Sequence, residues 1–69
     1  MKSLDECLYY LVREMGGLGI NAKDIYFTDA LAHVEKSGLD GLREIEIDAL
    51  IMAAERRGLV NELDRVVES

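Results

Sequence analysis

The sequence predicts an all-α fold: one small domain, residues 1–69, built of four short helices, or five if the second of them breaks, packed around a central helix at about 42–57. Three observations carry this expectation. The stretch LREIEIDALIMAAERRG places Leu42, Ile45, Ala49, Met52 and Ala53 on one side of a helix and Ile47, Leu50, Ile51 and Ala54 on another, leaving a narrow acidic strip of Glu44, Asp48 and Glu55. Glycine-containing turns separate it from amphipathic segments on both sides. Alternation with the period of a strand is confined to Glu44-Ile45-Glu46-Ile47, where helix is favoured because no second convincing strand is available to pair with it.

Ser3-Leu4-Asp5-Glu6 reads as a capping box: Ser3 accepts from the N–H of Glu6, and Glu6 reaches back to the N–H of Ser3. In the helix that follows, Leu4, Leu8, Leu11 and Met15 recur at helical spacing beside Cys7 and Val12, so Cys7 is expected as a small core residue. Tyr10 falls across the helix from that stripe, with Glu6 and Arg13, and Tyr9 at its margin. Gly16-Gly17-Leu18-Gly19 reads as a turn, since it has neither the Lys-Ser/Thr of a P-loop nor the spacing of a dinucleotide-binding loop.

Asn21 is the expected N-cap of a second helix carrying Ile25, Phe27, Leu31 and Val34 inward. Thr28-Asp29 also has the chemistry of a helix start, so residues 22–37 are either one helix or two. His33 follows Asp29 by one helical turn, and an ion pair between them is expected. Asp40, in the turn Gly38-Leu39-Asp40-Gly41, is expected to cap the central helix, and Asn61 a last short helix in which Leu63, Val66 and Val67 face inward. A hairpin in the tail is the less favoured alternative, since Asn61-Glu62-Leu63-Asp64 lacks a turn glycine. Asp29-Ala30-Leu31 leading to Gly38-Leu39 echoes Asp48-Ala49-Leu50 leading to Gly58-Leu59, so both helices are expected to end in the same kind of cap.

Composition restricts function. Apolar residues make up 49% of the chain, enough for a packed globule. A domain of this size buries only about 60% of the surface its unfolded chain exposes. One cysteine and one histidine allow neither an internal disulfide nor an ordinary zinc site, and no cofactor is expected. No apolar run approaches the roughly 20 residues of a membrane span, and MKSLDE lacks signal-peptide character, so a cytoplasmic protein is expected. Fourteen acidic against eight basic residues give a net charge of -6, which repels phosphate backbones. The only basic pair, Arg56-Arg57, lies in the last turn of the central helix, where the helix dipole favours cations.

Three short resemblances follow from these residues. Ala49 to Val60, ALIMAAERRGLV, resembles the end of the recognition helix of winged-helix DNA-binding domains, which implies a following wing. Gly38 to Leu42, GLDGL, is similar to the Asp-Ser-Leu motif of acyl carrier proteins, but the prosthetic-group serine is Gly41 in this chain. Leu50 to Val67, with ERRGLVNELDRVV, resembles the closing helices of bacterial effector-associated and death-like domains, which implies a small helical adaptor.

An enzyme is not expected. The acidic strip of Glu44, Asp48 and Glu55 is a solvated helix face, and Ser3, Ser37 and Ser69 sit at helix boundaries or at the end of the sequence, where a nucleophile has no base beside it. The expected function is protein–protein interaction: an acidic helical adaptor or inhibitor that docks on a protein with a basic surface, or on itself as a homodimer. Its expected contact residues are Tyr9, Tyr10, Tyr26, Ile51 and Met52, with Glu44, Asp48 and Glu55 providing steering. Nucleic acid and membrane are not expected partners. The alternative is a winged-helix or helix-turn-helix transcriptional regulator.

Overall fold

A computed structural model describes residues 1–17 and 19–68. It contains four helices: α1 (Leu4–Met15), α2 (Asp24–Ser37), α3 (Glu44–Arg57) and α4 (Val60–Glu68). No strand occurs among the described residues. The alternating stretch at the start of α3 is helical, as is the tail.

α1 starts with half of the expected capping box: the Ser3 hydroxyl accepts the N–H of Glu6 at 3.2 Å, while Glu6 does not reach back to the Ser3 N–H. The second segment is one helix, not two. Thr28 and Asp29 lie in its middle, and Phe27, Ala30 and Val34 form a continuous buried stripe across the position where a break was conceivable. Burial of that stripe outweighs the local capping preference. The helix begins at Asp24 with Lys23 as its N-cap residue, so Asn21 does not cap it. Asp40 likewise does not cap α3. Arg43 is the N-cap residue there, and the Glu46 carboxylate accepts both its backbone N–H, at 2.8 Å, and its guanidinium, at 3.1 Å. Leu42 and Arg43 therefore precede the helix. α4 begins a residue before Asn61, its first turn closed by the Leu63 N–H on the Leu59 carbonyl.

The two glycine-leucine caps differ. At Gly58 (φ 68°, ψ 28°) the Leu59 N–H bonds back to Ala54 and the Gly58 N–H to Glu55, the paired bonds of a Schellman motif. Gly38 (φ 71°, ψ -168°) sends a single bond to Val34 and leaves the helix in an extended direction. The first cap turns the chain straight into α4, while the second releases it into the loop before α3.

α1 packs chiefly on α3 and α2, and α4 closes the other side of the same two helices, which touch each other only sparingly. The centre is thus shared by α1 and α3. Cys7, Leu8, Leu11, Phe27, Val34, Leu50 and Leu63 fill the core, and α3 contributes the alanines Ala49, Ala53 and Ala54, whose small side chains let its neighbours come close. The buried stripe of α3 runs between the two apolar sides read from its sequence. Ile45, Ile51 and Met52 therefore lie outside the core, as does Ile25 of α2, and Val67 of α4 is exposed while Val66 is half-buried. Among the described residues no helix is long and apolar enough to cross a membrane.

Candidate interaction surface

The backbone of the surface is set by a buried polar clasp that joins the ends of three helices. Glu14 lies on the apolar stripe of α1 and Arg57 on that of α3, with side chains only 3% and 13% exposed. The Arg57 guanidinium donates to both Glu14 oxygens at 3.0 Å, to Asp24 at 3.1 Å, and to the carbonyls of Ala22 and Ala53 at 2.8 and 3.1 Å. All five of its N–H donors are used. Glu14 also accepts the Ala22 N–H at 2.9 Å, which ties the segment leading into α2 to the end of α1. The hydrogen bonds from Arg57 hold the Glu14 carboxyl below the usual range, against the opposing effect of burial. Arg57 is therefore held largely in the interior by its partners, and Arg56 alone of the pair faces solvent.

This clasp is invisible to a pattern reading that stops at apolar residues. Its signal is positional: Glu14 follows Cys7 by two helical turns, Arg57 follows Leu50 by the same interval, and each interrupts an apolar stripe with a charge of opposite sign.

His33 and Asp29 are not paired with each other. Asp29 accepts the Lys2 backbone N–H at 2.7 Å and His33 Nε2 sits 2.8 Å from the Lys2 carbonyl, so the two side chains together bind the segment preceding α1. Two groups on a helix that can each reach a backbone polar group satisfy it in preference to a solvated ion pair.

The expected contact residues fall on separate surfaces. Tyr9, Tyr10 and Tyr26 come together: Tyr10 stacks on Tyr26 with centroids 4.4 Å apart, and Tyr9 meets Tyr10 edge-on at 5.1 Å. Tyr10 and Tyr26 are half-buried by this contact between α1 and α2, and only Tyr9, 56% exposed, presents most of its ring to solvent. Stacking, not a free contact face, explains the aromatic on the polar side of α1.

Ile51 belongs to a different surface. It lines an apolar groove of about 140 Å³ between α3 and α4, with Leu39, Ile47, Leu50, Leu63, Val67 and the exposed Asp64. Glu44, Asp48 and Glu55 are all exposed on the outer ridge of α3, one turn or two from Ile51 along the helix. Met52 lies past that ridge, on the α3 flank it shares with Ile45. Leu59 and Val60 continue the exposed apolar surface around the α3–α4 corner, residues the sequence reading did not single out for contact. Their signal is positional: two large apolar residues directly precede Asn61, and a short helix cannot cover both.

Among the described residues no group of His, Cys, Asp and Glu side chains is arranged to hold a metal ion. Cys7 is fully buried, and that burial raises its thiol pKa, so the reactive thiolate is disfavoured. Compared with known proteins, the chain matches no protein-family model, no curated protein and no solved structure. The functional reading therefore rests on the surface itself. The wing implied by the winged-helix resemblance has no counterpart among the described residues, because Gly58 and Leu59 lead from α3 into a helix.

Proposed function

We propose that this chain is a protein–protein interaction module of the adaptor or inhibitor kind, which docks through apolar side chains of α3 and α4 and attracts its partner with the acidic ridge beside them. The observation that supports the reading is the number of large apolar residues left outside the core on α3, α4 and the turn between them: Ile45, Ile51, Met52, Leu59, Val60 and Val67. Scattered apolar residues are ordinary on protein surfaces, but Ile51 and Val67 line a groove, and Glu44, Asp48 and Glu55 lie on the α3 ridge beside Ile51. The net charge of -6 adds long-range attraction for a basic partner.

Capture from the cells that make the protein tests this reading with paired baits, the unchanged chain against Ile51→Glu, Met52→Glu and Tyr9→Glu. A protein retained by the unchanged chain and lost from at least one folded variant is the expected result. Retention of every captured protein by all three variants would contradict it.

A further inference from the structure

The groove between α3 and α4 has a shape and a border that specify its occupant. Its walls are aliphatic, from Leu39, Ile47, Ile51, Leu63 and Val67, and its 140 Å³ suits one large apolar side chain. On α3 and α4 the charged residues bordering it are acidic: Glu44, Asp48 and Glu55 neighbour Ile47 and Ile51, and Asp64 lies one turn from both Val60 and Val67. Arg56 and Arg65 fall on the opposite flanks of their helices, and Arg65 is engaged with Glu62 at 3.4 Å. We propose that this groove receives the apolar anchor of a basic amphipathic helix from another protein, with lysines or arginines of that helix lying against the two acidic borders.

The mode of binding follows from what the fold offers. Strand addition needs a sheet edge, and the described residues contain no strand. Polyproline recognition uses aromatic walls, and these walls are aliphatic. A helix presenting a residue to a cleft between two helices remains. A second copy of this chain would bring its own charge of -6 to the same acidic borders, so like charges would oppose that pairing. The inference rests on the proposed interaction function and adds to it the site, the anchor and the charge of the partner.

The test titrates the isotope-labelled chain with a synthetic amphipathic helix made of leucine and lysine, and with its leucine–glutamate counterpart, following amide shifts by NMR. The expected result is binding of the lysine peptide alone, with shifts centred on Ile47, Ile51, Leu63 and Val67. Ile51→Glu discriminates mechanism, since it adds a negative charge that would tighten a purely electrostatic contact with the cationic peptide. The groove predicts the reverse, a loss on the order of tenfold or more, while Thr28→Glu, at an exposed α2 position beside the start of α1, binds as before.

Unchanged or tighter binding by Ile51→Glu, or shifts spread evenly over the acidic surface, would overturn the anchor. Equal binding of the glutamate peptide would overturn the charge assignment. Self-association of the isolated chain that Ile51→Glu abolishes would make the occupant a second copy and overturn the proposal as well. If the groove fails while a Met52→Glu or Tyr9→Glu bait still loses a captured protein, the interaction function stands and only this site is wrong.

Discussion

Removing the Glu14 carboxylate leaves the Arg57 guanidinium buried with two of its donors unmatched and the Ala22 N–H without its acceptor. Breaking a buried pair from one side costs about 3–5 kcal/mol, a large part of the total stability of so small a domain. Glu14→Ala is therefore expected to lower the urea midpoint sharply, and the double replacement Glu14→Met with Arg57→Met to lower it less, because no uncompensated charge remains. The clasp also sets a pH dependence. The Glu14 carboxyl is held below its unfolded value, so its contribution to stability is complete above the unfolded pKa of about 4.3 and is lost as pH falls through the folded value. Glu46, whose carboxyl is lowered first by the Arg43 N–H, acts in the same direction. Urea titrations of the unchanged chain from neutral pH downward are expected to show stability falling in acid, and Glu14→Gln is expected to show a weaker dependence. At this scale the sequence was readable where a residue's role is local, as at Ser3. It was opaque where the partner is remote: Glu14 and Arg57 are 43 residues apart.

Helix ends follow a similar division. The Gly58 cap was legible because a left-handed residue at a helix terminus is a local requirement, and the structure places Gly58 at φ 68° with both Schellman bonds made. A Cβ at this position meets no neighbour, so Gly58→Ala reports backbone strain alone. The expected cost is about 1–2 kcal/mol, measured as a shift in urea midpoint at unchanged slope. Ala53→Leu, at a fully buried position, would test packing instead. The starts of α2, α3 and α4 were less legible because Asn21, Asp40 and Asn61 all have capping chemistry, yet helix boundaries are fixed by which residues the core accepts. Phe27, Ala30 and Val34 must lie in one stripe, and that register carries α2 through Thr28 and Asp29 without a break. The apolar sides of α3 are too wide for one buried face. Which of their members would stay outside depended on where α1 and α4 lie, and no local pattern encodes that.

For the whole molecule, the all-helical class followed from apolar period, glycine punctuation and the lack of paired strand signals, and the described residues form four helices. The proposed interaction surface was legible only in part. Ile51 and the acidic ridge lie together, whereas Tyr10 and Tyr26 are largely occupied with each other and Met52 lies on another flank. Charge and exposed apolar residues enter the proposed function at different distances: the net charge of -6 acts on approach and fades as salt screens it, while the groove acts only on contact. Side-chain carbene footprinting compares the isolated chain with the complex formed in the cells that make it, and so reads the coverage of this surface directly. Docking at the proposed groove predicts that Ile51 and Val67 label readily in the isolated chain and become protected in the complex. Equal labelling of Ile51 and Val67 in both states would contradict it.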